Sequence, residues 1–102
     1  MTSIRFEWDE AKDRANRRKH GISFEEAARV FLDPYHMSVQ DRHENGEERW
    51  QTIGMVHGLI ALLVAHTYSE RDERDEIVEV IRIISARRAT KVERRRYEDE
   101  NR

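Results

Sequence analysis

The stretch Ile77–Tyr97 constrains the fold most, because it changes from an apolar strand pattern to a basic helix pattern. Its apolar residues are β-branched and fall on both faces of a strand: Ile77, Val78, Val80, Ile81, Ile83 and Ile84. An edge strand with one wet face would alternate more cleanly, so we expect an inner strand over Ile77–Ser85. Thr90 and Glu93 have the spacing of a capping box, which predicts a helix that begins at Thr90.

The basic residues of this stretch predict an anion-binding surface. Between Arg82 and Arg96 the only acidic residue is Glu93, whereas acidic blocks lie at Asp41–Glu48 and Glu70–Glu79. The net charge of −2 and pI of about 6.2 are not the global basic excess that is typical of a nucleic-acid-binding protein. The charges are segregated, however, and the local field matters more than the total for a polyanion that binds one face.

Composition excludes several classes of protein. At 102 residues the chain is expected to form one domain, residues 1–102. It has no cysteine, which excludes disulfides and thiolate zinc sites and suits a reducing cytoplasm. No apolar run approaches the ~18 residues of a membrane span, and no signal peptide is visible, so a cytoplasmic protein without membrane contact is expected. The five histidines lack a metal-binding spacing, so no metal or other cofactor is expected.

The N-terminal third predicts a strand and two short helices. Ile4–Trp8 alternates like a strand with one buried face, and Asp9 is placed to cap a helix over Asp9–Lys19 that ends at Gly21. Ala11 and Ala15 are the small apolar positions on one face of that helix. A second helix should begin at Ser23, carry an apolar stripe and stop at Asp33-Pro34; the stripe is Phe24, Ala27, Ala28 and Phe31.

The middle of the chain predicts strands separated by polar loops. The predicted strands are Met37–Asp41, Arg49–Val56 and Leu59–Tyr68. Turn signals occur at Asn45-Gly46 and His57-Gly58, and polar runs predict loops over Asp41–Glu48 and Ser69–Glu76. The element order is that of an α+β fold with an antiparallel sheet. We expect Leu59–Tyr68 to be an inner strand and the two N-terminal helices to form a hairpin on one face.

Two segments resemble the BrnT family of bacterial toxins. They read FEWDEAKDRANRRKHGISFEEAARVFLDP near the start and RIISARRAT…ERRRYE near the end, so the resemblance runs from about Ile4 to Glu98. It implies a RelE-like fold, ribonuclease activity that inhibits translation, and a neutralising BrnA-like antitoxin. It also implies a two-plus-two complex that contacts operator DNA only through the antitoxin. The family motif KHG marks Lys19 and His20.

Metal-free RNA cleavage requires a base for the 2′-hydroxyl, cations for the charge that grows on the phosphate, and an acid for the leaving oxygen. The guanidinium fork matches phosphate oxygens, so the predicted phosphate-stabilising residues are Arg82, Arg87 and Arg88. The predicted base is Lys19 or His20, with Tyr97 next. The predicted RNA-binding residues are Lys12, Lys91, Arg94 and Arg95.

Each assignment has a structural alternative. Arg87 and Arg88 could pair with the acidic loops or with the following helix, and His20 could cap a helix end. Tyr97 could anchor the last helix, and Trp8 and Trp50 could pack in the core rather than stack on bases. Two further functions also fit the same basic face: a non-catalytic nucleic-acid-binding module, and the interaction half of a complex whose partner supplies the activity.

Overall fold

The protein is described here by a computed structural model that covers residues 2–44 and 46–101. Its strands are β1 (Thr2–Glu7), β2 (Met37–Glu44), β3 (Glu47–Val56), β4 (Ile60–Glu73) and β5 (Glu76–Arg88). Its helices are α1 (Glu10–His20), α2 (Phe24–Ala28), continued by a 3₁₀ turn over Arg29–Leu32, and α3 (Lys91–Glu100). The fold is α+β, as predicted.

One five-stranded sheet has the order β1-β5-β4-β3-β2. The prediction that β4 and β5 are inner strands is confirmed, because each has a strand on both sides. β1 is the exception to the predicted antiparallel sheet, since it pairs parallel to β5, with Thr2 opposite Ile77 and Glu7 opposite Arg82. All other neighbouring strands pair antiparallel.

The two predicted polar loops are wrong. β4 and β5 continue through the Ser69–Glu76 region and are joined by Arg74 and Asp75, whose positive φ angles of 51° and 64° suit a tight hairpin turn. β2 and β3 likewise extend through most of the Asp41–Glu48 region; Asn45, half of the predicted turn there, lies outside the described residues. Polar side chains are tolerated in these arms because solvent, rather than a core, surrounds them.

The ends of α1 are as predicted, but its buried face is not. Asp9 accepts hydrogen bonds from the Ala11 and Lys12 amides, and Gly21, with φ 71°, ends the helix. Ala11 and Ala15, expected on the packed face, are exposed. The buried positions are instead polar, with Asp13 8% and Asn16 7% exposed. Asp13 accepts a hydrogen bond from the Phe24 amide and so fixes the start of α2.

The apolar core lies between α2, its 3₁₀ extension and one face of the sheet. Phe24, Ala27 and Val30 are fully buried there together with Leu62, Val64 and Ile83. Gly54 on β3 permits this close approach, because a Cβ at that position would lie 2.8 Å from Val30 Cγ1 and 2.9 Å from the Val30 carbonyl. α1 and α2 both contact β5.

The capping box of α3 is confirmed. Glu93 N donates to Thr90 Oγ1 over 3.2 Å, and Thr90 N donates to Glu93 Oε1 over 2.8 Å. α3 borders Ile53 and Leu63, whose side chains alternate with those of the core face, so it lies against the other face of the sheet. Tyr97 is the one buried residue of α3, and Val92 is 75% exposed. Within the described chain, no helix is long and apolar enough to cross a membrane.

Candidate functional site

A buried asparagine joins α1 to the end of β5. Asn16 Nδ2 donates to the carbonyls of Ile22 and Ala86, each over 2.9 Å, and Asn16 Oδ1 accepts from the Ala86 amide over 3.1 Å. We call these three bonds the asparagine clamp. Because every polar atom of the buried amide group is engaged with backbone, the clamp holds α1 in one position relative to the strand.

The asparagine clamp fixes the position of the basic residues of α1 relative to the end of β5. Lys12, Lys19 and His20 lie four before, three after and four after Asn16, so they share its side of α1. All three are exposed. Arg87 and Arg88 directly follow Ala86, the residue that the clamp holds. The side of α1 that carries the KHG motif therefore lies towards Arg88, which is opposite the core residue Leu62, whereas Arg87 is opposite Leu63 on the other face of the sheet.

Arg87 is already paired. Its two terminal nitrogens donate to the two carboxylate oxygens of Glu93 over 2.8 and 3.0 Å. Donation to the Glu93 carboxylate raises the pKa of Arg87, and the same hydrogen bonds lower the pKa of Glu93 to about 2. The Arg87 guanidinium, which would bind phosphate through two parallel hydrogen bonds, is therefore already bound to Glu93 of α3.

Arg88 is the open arginine of the pair. It is exposed, and among the residues that the structure describes its guanidinium has no hydrogen bond or ion pair. Its backbone carbonyl accepts a hydrogen bond from Arg87 over 3.2 Å, which ties the two residues together. An exposed guanidinium on the end of a rigid strand is pre-positioned to bind an oxyanion without first breaking an internal pair.

Arg82 does not join this group. It lies six residues before Arg88, about 20 Å along an extended strand. Its guanidinium donates to both carboxylate oxygens of Glu47, over 2.9 and 3.1 Å. Arg82 therefore links β5 to the start of β3, away from Lys19 and His20.

Tyr97 also lies apart and performs an anchoring role. Its hydroxyl donates to Asp33 Oδ2 over 2.5 Å, which fastens α3 to the segment after the 3₁₀ turn. Burial and this hydrogen bond raise the pKa of Tyr97 to about 12. Burial alone would raise the pKa of Asp33, but hydrogen bonds from Met55 N, Tyr97 and Tyr35 N hold it below its ordinary value. Such a tyrosine is poorly suited to act as a base near neutral pH.

The predicted RNA-binding residues of α3 are exposed, and the helix that carries them begins three residues after Arg88. Lys91 and Arg95 are four residues apart and so share one side of the helix. Arg94 donates to Glu98 over 2.9 Å and is partly neutralised. We use the name basic cluster for the residues Lys12, Lys19, His20, Arg88, Lys91 and Arg95.

Asn16 was missed by sequence reasoning. The feature of the sequence that points to Asn16 is that α1 has no apolar stripe, so a polar residue of α1 had to face the sheet. Asp13 and Asn16 are three apart and share one face, which marks that face as the buried one. Metal ligation finds no support in the described residues, where no group of three or more His, Asp or Glu side chains is placed to hold an ion.

The fold and the basic cluster define a small α+β protein with exposed cationic side chains on α1, at the end of β5 and on α3. The family model of the ribonuclease toxin BrnT, of type II toxin–antitoxin systems, matches residues 8–93, and the chain therefore belongs to the BrnT family. That family implies an RNA target and an antitoxin partner. The resemblance predicted from the two terminal segments is confirmed.

A solved structure agrees with this assignment. The Brucella abortus ribonuclease toxin BrnT is 26% identical to this chain, covers 89% of it with 100% of its own length, and superposes with a TM-score of 0.61. A search of the curated proteins finds no match.

Proposed function

We propose that this chain is a metal-independent endoribonuclease whose cleavage of RNA inhibits translation in the cytoplasm. The whole chain, residues 1–102, would act as a single toxin domain of RelE-like type. The observation that carries the proposal is that Arg88, open and exposed, lies at the strand end that the asparagine clamp holds against the Lys19–His20 side of α1.

The proposed mechanism divides the work among three groups. Lys19 or His20 takes the proton from the 2′-hydroxyl, and the other member of the pair can return one to the 5′-oxygen that leaves. Arg88 stabilises the negative charge that grows on the phosphate in the transition state. Lys91 and Arg95 hold neighbouring phosphates through charge that carries no sequence information.

The remaining candidates have different roles in this proposal. Arg87 contributes to phosphate binding only if RNA replaces Glu93 as its partner, because its fork is occupied in the free protein. The contacts of Arg82 with Glu47 and of Tyr97 with Asp33 favour structural roles over catalysis. Arg94 and Lys12 add to the local positive field.

The proposal includes an inhibitor of complementary chemistry. A BrnA-like antitoxin would place carboxylates over Arg88, and charge pairing of this kind speeds association and fixes register. Dimerisation of the antitoxin through its own DNA-binding part would give a two-plus-two complex. The toxin would then reach operator DNA only through that partner.

The test is an RNA-cleavage assay with the purified protein in EDTA. We expect cleavage of a single-stranded RNA to survive chelation, and Arg88→Ala to reduce the rate by about 10²–10³, as when one transition-state donor is removed. Arg18→Ala is the matched control, since Arg18 is exposed on α1 two residues from Asn16 and so points away from the clamp. Loss of activity in EDTA that a divalent ion restores, or equal rates for Arg88→Ala and wild type, would contradict the mechanism.

A non-catalytic RNA-binding module is the second candidate. It is favoured by the pairing of Arg87 and Arg82 with acids, which leaves Arg88 as the one open member of the three predicted phosphate-stabilising arginines. RNA binding that depends on Arg88, without formation of cleaved product, would select this function.

A further inference from the structure

The helices cover only part of the sheet face on which they lie. Beyond the 3₁₀ turn, towards the β4–β5 turn, three apolar side chains of that face remain exposed: Ile4 by 56%, Tyr68 by 40% and Ile77 by 47%. Their strands pair in register, with Ile4 opposite Glu79 and Tyr68 opposite Ile81. These residues, together with Glu70 and Glu79, form what we call the acidic face.

A cavity of about 350 Å³ opens between the 3₁₀ turn and the acidic face. Its rim is formed by Ile4, Trp50, Tyr68 and Glu79, its floor by Phe31 and His66, and His36 also lines it. It therefore combines aromatic rings, an aliphatic side chain and a carboxylate around one opening. Rings and a carboxylate in this arrangement suit a cation that carries an apolar stem.

The floor of the cavity is held rigidly. The Phe31 and His66 rings meet edge to face with centroids 5.0 Å apart. His66 Nδ1 lies 3.1 Å from the Thr67 carbonyl and therefore donates, so Nε2 accepts from Thr52 Oγ1 at 2.7 Å. Thr52 in turn lies 2.7 Å from Ser38 Oγ. Because these groups are already satisfied, the cavity is preformed and need not be ordered by a ligand.

The carboxylates of the acidic face, in the part of the chain that the structure describes, form no ion pair. Among the described residues, Glu70 and Glu79 pair with no lysine or arginine; the Tyr68 hydroxyl donates to Glu79 Oε1 over 2.7 Å, and Glu70 Oε1 lies 3.3 Å from the same hydroxyl. Other acids of the sheet do have a cationic partner: Glu7 pairs with Arg71 at 3.0 Å. Glu47 is likewise paired with Arg82 at 2.9 Å. The acidic face thus joins exposed apolar area to uncompensated negative charge.

We propose that the acidic face docks a basic amphipathic helix of the antitoxin, an inference that rests on the proposed function for the identity of the partner. Aliphatic side chains of that helix would cover Ile4 and Ile77. A lysine or arginine would enter the cavity beside the Tyr68 ring and meet Glu79.

A helix fits because α1 and α2 already cover the same sheet face, and a third helix would complete that layer. A second copy of this chain is disfavoured, because two acidic faces would repel each other. The surface is also distinct from the basic cluster: Glu79 and Arg88 are nine positions apart on β5, about 30 Å along the strand. The antitoxin would therefore bind the Glu79 end of β5 with its basic helix and cover the Arg88 end with its carboxylates.

The experiment measures binding of the purified product of the reading frame adjacent to the toxin gene, by isothermal titration calorimetry. We expect Glu79→Lys to raise Kd by about tenfold or more, since it reverses the charge that the partner's basic residue meets. Ile4→Asp, on an exposed edge position, tests the apolar contact separately. Glu25→Lys is the matched control, because Glu25 is exposed on α2 and makes the same charge change outside the acidic face.

RNA cleavage and thermal melting of each variant separate the possible failures. Unchanged melting and unchanged cleavage, together with weakened binding, support the docking surface. Equal affinity for the wild type, Glu79→Lys and Ile4→Asp overturns it, as does a partner that does not bind the wild type. If the wild type cleaves no RNA but the two variants still lose the partner, the proposed ribonuclease fails while the docking surface stands.

Discussion

The two ends of strand β5 differ in whether a helix packs over them and in the charge of their exposed side chains. At the Arg88 end, α1 is clamped to the strand by Asn16 and the exposed side chains are basic. At the Glu79 end no helix covers the sheet, apolar side chains are exposed, and Glu70 and Glu79 have no lysine or arginine partner in the described part of the chain. One rigid strand therefore holds two surfaces of opposite charge at a fixed separation, so the proposed binding of RNA and the proposed binding of the antitoxin can be altered independently.

The largest expected effect is loss of toxicity when both arginines of the basic end are removed. Arg87→Ala with Arg88→Ala should lower RNA cleavage by about 10²–10³ or more, because charge on the phosphate is left unstabilised. Arg88→Lys should recover little activity, since the bidentate fork is lost. Growth and RNA integrity after induced expression measure the effect. Normal toxicity of the double variant would place the active site elsewhere.

The second-largest expected effect is a loss of stability when the asparagine clamp at the Arg88 end of β5 is removed. Asn16→Ala leaves the buried amide and carbonyl of Ala86 without their partner, which should cost about 1–3 kcal/mol of the free energy of unfolding. Denaturant titration measures it, with Gln40→Ala on the exposed surface of β2 as control. Equal midpoints for Asn16→Ala and the control would show that α1 is held by other contacts.

The third effect concerns pH and the floor of the acidic face. Burial lowers the pKa of His66 below its ordinary value of 6.5. Protonation therefore favours the unfolded chain, so this contribution to stability is complete above pH 6.5 and is lost as pH falls from 6.5 towards the lowered value. Melting temperatures across this range should decline less in His66→Gln. A wild-type decline that His66→Gln reproduces in full would assign it to other groups.

The smallest effect is that of the Arg87–Glu93 pair. Both side chains are about a third exposed, so Glu93→Gln should cost only about 0.5–1 kcal/mol of stability. Because the folded pKa of Glu93 is lowered to about 2, the pair stabilises the fold above pH 4.5 and weakens as pH falls below it. The same variant frees Arg87, so RNA affinity should rise modestly. Weaker RNA binding by Glu93→Gln would show that Arg87 needs Glu93 to hold its position.

Signals that lie close together in the chain predicted the fold well. The capping residues Asp9, Ser23 and Thr90 fix three helix starts, and the apolar runs identify β4 and β5 as inner strands. The extended hairpin arms were missed because their polar residues are held by cross-strand contacts that no local pattern encodes. Arg5, for example, pairs with Glu73, which is 68 residues away.

The candidate site was only partly predictable for the same reason. The KHG motif and the arginines of β5 are visible in the sequence, but Asn16 contacts a residue 70 positions away. Arg82, Arg87 and Arg88 look equivalent in the chain, and only the positions of Glu47 and Glu93 distinguish the paired arginines from the open one.

The parallel pairing of β1 with β5 also sets an order of events during synthesis. Thr2 in β1 finds its partner only when Ile77 has been made, whereas β2, β3 and β4 can form hairpins as they emerge. Closing such a long loop costs entropy before any contact compensates for it, so the first strand should be the last to join the sheet. The five-stranded sheet is therefore complete only after β5 has been made, and until then β5's place beside β1 and β4 is empty.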